Sequence, residues 1–308
     1  MQRSIPGLHH VTAITRDPHR NAGFYVRVLE LALVKRTVNF DVPDVFHLYY
    51  GDAAGHPGTL LTFFVRLNGE SGRQGNGQAT RVRLSVPTSH VQPWAEWLTE
   101  HGVGVERGET WCGAPALSFR DPDGLSLELV GVPEGGVTYD RPRVILGLHS
   151  VELPTVDPAP TSALLTDTMG FHIVEARASR RRFAMSGGEP GVFVDVLTDT
   201  TGADGAMGVG CVHHVAFRTE DDDGQRAWQA RLRGAGLDVT DVRNRTYFRS
   251  IYFHEPGGVR LEIATDGPGF AVDEPAHALG ARLQLPSSLE HARRELENRL
   301  GDLPGSVI

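Results

Sequence analysis

The sequence EPGGVRLEI at residues 255–263 matches DPDGLSLEL at residues 121–129. In both segments a turn rich in Pro and Gly precedes a strand of alternating apolar residues, and Glu262 and Glu128 stand at the same place. Each segment closes a unit of about 50 residues with the order strand, helix, strand, strand, strand. Such a unit has one helix to cover a small sheet, so it must pair with another copy to bury its faces. The matching ends therefore predict an α+β fold built from βαβββ modules.

The module at the C-terminal end is the most regular of these units. Alternation and turn residues predict its strands at 212–217, 237–242, 247–254 and 259–264, with a helix at 225–235. Three further copies are predicted along the chain, and the four modules lie at about 5–66, 79–132, 144–199 and 209–267. A linker rich in Gly and Pro at 132–143 divides them into an N-terminal domain at 5–138 and a C-terminal domain at 143–267.

A tail at 268–308 follows the last module. Residues 287–290, Ser-Ser-Leu-Glu, fit a capping box, and Ala292, Leu296 and Leu300 recur every four residues. This pattern predicts a helix at about 288–300 that packs on the body of the protein or on a second subunit.

The composition narrows the classes of partner. The 308 residues carry a formal charge of −8, which argues against nucleic acid or an anionic membrane surface as a partner. No apolar run approaches the roughly 20 residues that span a bilayer, and residues 1–6 contain no apolar signal core. Two cysteines are too few for a disulfide scaffold. We therefore expect a cytoplasmic protein, and the sequence leaves open whether it forms a homo-oligomer.

Two pairs of adjacent histidines begin strands about two hundred residues apart, His9-His10 and His213-His214. With Glu262 they can supply two imidazoles and one carboxylate to a divalent metal, a ligand set that favours Fe(II) and leaves positions open for O2. Neighbouring residues of a strand face opposite ways, so one histidine of each pair reaches such a metal. Alternation alone does not decide which one.

Several segments resemble those of the vicinal oxygen chelate superfamily, which includes glyoxalases, bleomycin-resistance proteins and extradiol dioxygenases. Within it the chain is similar to hydroquinone ring-cleaving dioxygenases of the MhqO/PcpA type, over roughly residues 5–267. The segments that carry this resemblance are LHHVTAI at 8–14, FY at 24–25, LVKRTVNFD at 33–41, HLYYGD at 47–52, PGT at 57–59, CVHHVAF at 211–217, NRTYF at 244–248 and PGG at 256–258.

The resemblance implies two tandem glyoxalase/extradiol-dioxygenase-like domains and a set of functional residues. It favours the second histidine of each pair, so His10, His214 and Glu262 are the implied ligands of Fe(II), with Mn(II) as the alternative metal. The residues that it implies around the metal are His9, Thr12, His213, Arg245 and Tyr252. Among these, Tyr252 would hydrogen-bond the reacting oxygen and Arg245 would offset negative charge.

Aligning the repeats shows which modules can share a metal. Each module offers a position on its first strand and one on its last, namely His10 and Thr62, Arg83 and Glu128, Ser150 and Asp195, and His214 and Glu262. Only the first and fourth modules together supply two histidines and a carboxylate. We therefore predict that these outer modules pair and build the metal site. In the second and third modules Arg83 is predicted to neutralise Glu128 or Asp195 in place of a metal.

The function expected from this site is cleavage of a hydroquinone-type, or catechol-type, aromatic ring with O2. Two alternatives remain open. A glyoxalase-like isomerase or thiol transferase normally uses a fourth protein ligand, which Thr62 does not provide. A metal-free protein that binds an aromatic compound or antibiotic has no need of His10, His214 and Glu262. Three other histidines, His47, His149 and His254, are expected at the surface or hydrogen-bonded in the core.

Overall fold

A computed structural model describes residues 4–185 and 191–300, without the side chains of residues 299 and 300. It contains two eight-stranded sheets and few helices, which confirms the predicted α+β class. Within these described ranges, no helix combines the length and the apolar character needed to cross a membrane.

Four strands belong to each module. The first module contains β1 (Leu8–Thr15), β2 (Ala32–Val38), β3 (Phe46–Gly51) and β4 (Leu60–Val65). The second contains β5 (Arg81–Pro87), β6 (Glu106–Glu109), β7 (Pro115–Arg120) and β8 (Ser126–Val132). The third contains β9 (Gly147–Thr155), β10 (His172–Arg177), β11 (Arg180–Ala184) and β12 (Phe193–Thr198). The fourth contains β13 (Val212–Thr219), β14 (Arg243–Asn244), β15 (Arg249–His254) and β16 (Arg260–Thr265).

One helix follows the first strand of each module. The helices are α1 (Pro18–Ala22), which continues as a π-helical turn at Gly23–Val28, α2 (Val91–Glu100), α3 (Pro158–Ala163), which continues as a π-helical turn at Leu164–Thr168, and α4 (Asp222–Gly234). An aspartate precedes three of them and accepts hydrogen bonds from backbone N–H groups of the first turn, as Asp17 does from His19 and Arg20. Trp94 on α2 and Trp228 on α4 are buried and join these helices to the core.

The sheets pair modules that are distant in the sequence. One sheet has the order β14-β15-β16-β13-β1-β4-β3-β2, and the other has the order β10-β11-β12-β9-β5-β8-β7-β6. The first strands of two modules meet antiparallel at each centre, β1 beside β13 and β5 beside β9. The predicted pairing of the first module with the fourth is thus confirmed, and each sheet joins the two halves of the chain.

The repeated turns have the same physical basis. Gly124 and Gly258 take φ values of +92° and +99°, a conformation that favours glycine. An acidic side chain holds each turn closed: Asp121 accepts hydrogen bonds from the backbone N–H groups of residues 123 and 125, and Glu255 accepts them from those of residues 257 and 259. These turns directly precede β8 and β16, the strands that contain Glu128 and Glu262.

Two local predictions are wrong. Residues 237–242 form no strand, and only the two-residue β14 lines the edge of the sheet there. Val239 of this segment packs into the core and the backbone N–H of Thr240 donates a hydrogen bond to the carbonyl of Tyr252, but Asp238 and Asp241 on either side are exposed. The predicted capping box is also absent: a 3-10 helix at Ser287–Ala292 begins without a side-chain cap, and α5 follows at Arg293–Leu300.

The tail packs on the body of the protein over the described residues. Leu289, Ala292 and Leu296 contact the main core cluster. Lys35 of β2 is fully buried and donates hydrogen bonds to the carboxylates of Asp273 and Glu274, which fastens the tail to the first module. Residues 301–308, the last part of the predicted tail, lie outside the described residues.

Candidate metal centre

The centre of the first sheet brings together residues from both ends of the chain. Thr12 of β1 is opposite His214 of β13, and His10 is opposite Ala216. On the other side of β13, Ala216 is opposite Glu262 of β16. This register places His10, His214 and Glu262 side by side, and all three are buried.

Their donor atoms form a small triangle. Nε2 of His10 lies 3.2 Å from Nε2 of His214, and Oε2 of Glu262 lies 3.4 Å from the first nitrogen and 3.0 Å from the second. Adjacent ligands of an octahedral ion with bonds of about 2.1 Å are about 3.0 Å apart. The triangle therefore fits one face of such a coordination sphere. Among the described residues, these three form the group of His, Cys, Asp and Glu side chains that could hold a metal ion.

The neighbouring histidines orient the two imidazoles. Nδ1 of His9 lies 2.9 Å from Nδ1 of His10, and Nδ1 of His213 lies 2.8 Å from Nδ1 of His214. An imidazole that binds a metal through Nε2 carries its proton on Nδ1, which needs an acceptor. His9 and His213 stand where such acceptors are needed.

Protonation also suits metal binding. Burial lowers the pKa of His214 to about 4, against the attraction of Glu262, so its imidazole is neutral at pH 7. Burial lowers the pKa of His213 to about 2 and that of His9 well below its usual value. The Nε2 atoms of both histidines and the Glu262 carboxylate converge at one place. Oε2 of Glu262 is buried and has no hydrogen-bond donor, so a cation is the partner that this arrangement lacks.

Thr62 occupies the fourth position of the site. Its hydroxyl lies 2.7 Å from that of Thr12 and 2.9 Å from Nε2 of His47. Both contacts are hydrogen bonds within the protein, and Thr62 is fully buried. The centre therefore brings together three side chains that could bind a metal, and their role as ligands stays a prediction.

A cavity of about 340 Å³, counted to its open mouth, adjoins the triangle. It is lined by His10, Asn39, Phe40, His47, Tyr49, Phe64, His214, Arg245, Phe248 and Tyr252. The rings of Phe40, Phe64 and Phe248 supply apolar wall, and Arg245 supplies a positive charge. The enclosed part of this space is about 30 Å³, and the rest of it opens to solvent beside the three side chains.

Tyr252 and Arg245 lie together in this cavity. Nε of Arg245 donates a hydrogen bond of 3.2 Å to the Tyr252 hydroxyl, and its Nη2 lies 2.8 Å from Asp41. Asp41 is also bound by Arg243 at 3.0 Å, so it connects the turn after β2 to the cavity wall. Burial raises the pKa of Tyr252, which keeps its phenol protonated at neutral pH.

The other implied residues lie behind the ligands. Thr12 is fully buried with its hydroxyl toward Thr62, and His9 and His213 contact the imidazoles beside them. None of these three lines the cavity, so their contacts suit them to orient ligands.

Sequence reasoning missed three polar residues of the cavity, Asn39, His47 and Tyr49. His47 was expected at the surface or hydrogen-bonded in the core. It is buried and hydrogen-bonded, and it also faces the cavity. Strand alternation in 46–51 could have identified His47 and Tyr49, because these residues share one face of β3. His149 is buried in the other sheet, and His254 is exposed.

The corresponding place in the second sheet holds an arginine. Arg83 is buried and donates hydrogen bonds to Glu128, to Asp195 at 2.9 Å and to Glu152 at 3.1 Å. The predicted neutralisation of Glu128 or Asp195 by Arg83 is confirmed, and it extends to both carboxylates and to a third. A guanidinium with five N–H donors can satisfy several carboxylates at once.

Comparisons with known proteins agree with this architecture. The sequence profile described as the Glyoxalase/Bleomycin resistance protein/Dioxygenase superfamily matches residues 7–129 and 147–263. A Bacillus subtilis (strain 168) protein named as the ring-cleaving dioxygenase MhqE is 40% identical over 303 residues, which cover 96% of this chain and 99% of the relative. A chlorohydroquinone/hydroquinone 1,2-dioxygenase of Sphingobium indicum is 32% identical over 97% of each chain. A crystal structure named as a dioxygenase from Bacillus subtilis superposes with a TM-score of 0.92 at 38% identity, covering 98% of this chain and 99% of that one.

Proposed function

This chain belongs to the glyoxalase, bleomycin resistance protein and dioxygenase superfamily, and on that premise we propose that it is a non-haem Fe(II)-dependent dioxygenase that cleaves hydroquinone-type aromatic rings. His10, His214 and Glu262 are its proposed metal ligands, and a small aromatic diol and O2 are its proposed substrates. The observation that supports this proposal most directly is the convergence of three buried electron-pair donors beside an open cavity with aromatic walls.

The donor set favours iron over other metals. Two imidazoles and one carboxylate on one face of a coordination sphere are typical of Fe(II) enzymes that use O2. When bound there, Fe(II) supplies Lewis acidity toward a phenolic oxygen and open positions for oxygen chemistry. The chain itself contributes the two imidazoles, the carboxylate and their buried surroundings. Ser250 donates a hydrogen bond of 2.5 Å to Oε1 of Glu262, which leaves Oε2 directed at the two histidines.

Tyr252 is positioned to hold or deliver a proton. Its oxygen already accepts a hydrogen bond from Arg245, so its own O–H is left to donate into the cavity. A donor at this place stabilises negative charge that develops on an oxygen during the reaction. Arg245 adds a positive charge behind the phenol, and Asp41 holds the guanidinium in that orientation.

The aromatic wall orients the ring and excludes water. His10 and Phe248 lie with ring centroids 5.2 Å apart, and Phe64 and His214 lie 6.2 Å apart. These contacts fix the wall beside the ligands. A substrate ring held against that wall is oriented next to the ligands, which converts an encounter between two reactants into a reaction within one complex.

A direct experiment tests the proposal. The protein is loaded with Fe(II) without oxygen, and oxygen uptake is then measured with a panel of hydroquinones, catechols and simple phenols. We expect stoichiometric oxygen uptake with at least one diol and the appearance of a ring-opened product. Loading with Mn(II) in parallel tests the identity of the metal. If no diol supports oxygen uptake by a protein that retains one metal per chain, the proposal is wrong.

A further inference from the structure

Two tyrosines occupy equivalent places in the first sheet. β15 and β3 each lie third from the centre of the sheet, on opposite sides. Tyr252 of β15 is directly opposite Glu262, and Tyr49 of β3 is directly opposite Thr62. Both tyrosines line the same cavity. An internal two-fold relation thus places a second phenol in the site, with Tyr49 corresponding to Tyr252.

The two sides differ in the residue that lies opposite each tyrosine and in the hydrogen bond that this residue receives. Two residues before Tyr252, Ser250 hydrogen-bonds Glu262, a proposed ligand. Two residues before Tyr49, His47 hydrogen-bonds Thr62, whose hydroxyl is also held by Thr12. The side with Glu262 therefore contributes a proposed metal ligand, and the side with Thr62 consists of neutral hydrogen-bonding groups.

These neutral groups form a continuous chain. The hydroxyls of Thr12 and Thr62 are 2.7 Å apart, Thr62 and Nε2 of His47 are 2.9 Å apart, and Nδ1 of His47 and the Tyr49 hydroxyl are 2.9 Å apart. Both nitrogens of His47 are used within this chain, so His47 has none left for a ligand. Tyr49 is the last group in this series of hydrogen bonds, and its hydroxyl can form one more. If it donates to His47 its oxygen can still accept, and if it accepts from His47 its O–H can still donate.

A diol needs such a partner. With one phenolic oxygen at the metal ligands, the second hydroxyl of a 1,4-diol lies at the far edge of the ring, in a cavity whose walls include Phe40, Phe64 and Phe248. A buried hydroxyl without a partner costs about 1–3 kcal/mol. In the described structure Tyr252 is hydrogen-bonded to Arg245, and Tyr49 is hydrogen-bonded to His47. The remaining donor of Tyr252 is assigned above to the reacting oxygen, so Tyr49 is the phenol left for the second hydroxyl. Burial raises the pKa of Tyr49, which keeps it a neutral phenol.

We propose that the Tyr49 hydroxyl binds the second hydroxyl of a 1,4-dihydroxy aromatic substrate, and that His47, Thr62 and Thr12 hold Tyr49 in place for this contact. Tyr49 is then the residue that selects diols over simple phenols, and His47 is a positioning residue. This inference rests on the proposed function, since it names the substrate class of the same site.

The test measures binding without turnover. Hydroquinone and phenol are titrated into the Fe(II)-loaded protein by calorimetry without oxygen. Hydroquinone has two equivalent hydroxyls, which favours it by a statistical factor of about two. One additional hydrogen bond should make the affinity of the wild type for hydroquinone about tenfold higher than its affinity for phenol. In Tyr49→Phe we expect the ratio to fall to about twofold, with the affinity for phenol unchanged.

A matched control lies next to Tyr49. Tyr50 is buried on the opposite face of β3, and its hydroxyl has no hydrogen-bond partner, so Tyr50→Phe removes a phenol oxygen from the same strand without touching the cavity. This variant should keep the tenfold ratio. His47→Leu should give a ratio between the two, because Tyr49 remains but is no longer held.

The outcomes separate the two proposals. A wild-type ratio of about two, an unchanged ratio in Tyr49→Phe, or an equal loss in Tyr50→Phe would each overturn the role of Tyr49. If the wild type still consumes oxygen with hydroquinone, the proposed function stands in all three cases. Loss of oxygen uptake with every diol would instead overturn the proposed function itself.

Discussion

Removal of the buried guanidinium in the second sheet should destabilise the whole protein while leaving the metal centre intact. Arg83 is 1% exposed and contacts three carboxylates, Glu128, Glu152 and Asp195. In Arg83→Met these carboxylates keep their outer partners, and Asp195 still binds Arg182 at 2.7 Å. They lose the cation at their centre. Removing one partner of a buried ion pair costs about 3–5 kcal/mol.

This free energy converts into a measurable shift of melting temperature. With an unfolding entropy of about 2.1 cal/mol/K per residue, a loss of about 3–5 kcal/mol in a chain of 308 residues lowers Tm by about 5–8 °C. Calorimetry or circular dichroism at pH 7 measures the shift. Arg177→Met is the control, because Arg177 pairs with Glu175 at the surface and should change Tm by about 1 °C or less.

The effect should also depend on pH. Burial alone would raise the pKa of Glu152, but the attraction of Arg83 and Arg180 holds it below the usual value of 4.5. A carboxyl whose folded pKa is lowered stabilises the fold above its unfolded pKa, and this contribution is lost as the pH falls through the folded value. The difference between the wild type and Arg83→Met should therefore be largest at pH 7 and shrink below about pH 4.5. Equal melting temperatures at pH 7, or a destabilisation that grows in acid, would refute the role of Arg83 as the replacement for a metal.

Three further changes test the site and the turns. Glu262→Gln should weaken metal binding at least about tenfold, measured by metal content after dialysis, whereas Glu128→Gln in the other sheet should leave the metal content unchanged. Tyr252→Phe should lower turnover about 100-fold with no loss of metal, and unchanged turnover would remove Tyr252 from the mechanism. Burial raises the pKa of Asp121 to about 6, so its ionisation destabilises the fold as the pH rises through that value. Asp121→Asn should accordingly gain up to about 3 kcal/mol relative to the wild type between pH 4 and pH 7, and a difference that is independent of pH would contradict this assignment.

The repeats and ligand types were readable from the chain because they are local properties. A Pro-Gly turn followed by alternating apolar residues identifies the end of each module wherever it lies, as at 121–129 and 255–263. Pairing of the first module with the fourth also followed from residue types, since only that combination unites His10, His214 and Glu262. The start of the helix in the tail was predicted less well, because Ser287 does not cap the helix that follows it.

Contacts between distant residues were decided by the tertiary structure. Alternation assigns a residue to one face of a strand, but it does not say which element lies against that face. For this reason the sequence did not show that His47 reaches Thr62, that Asp41 holds Arg245, or that Tyr49 mirrors Tyr252 across the sheet. The chain by itself determined its modules, their pairing and the chemical types of the three proposed ligands. Only the folded sheet, in which β1 lies beside β13, determined how the remaining polar groups surround them, because those distances depend on packing and not on any pattern along the chain.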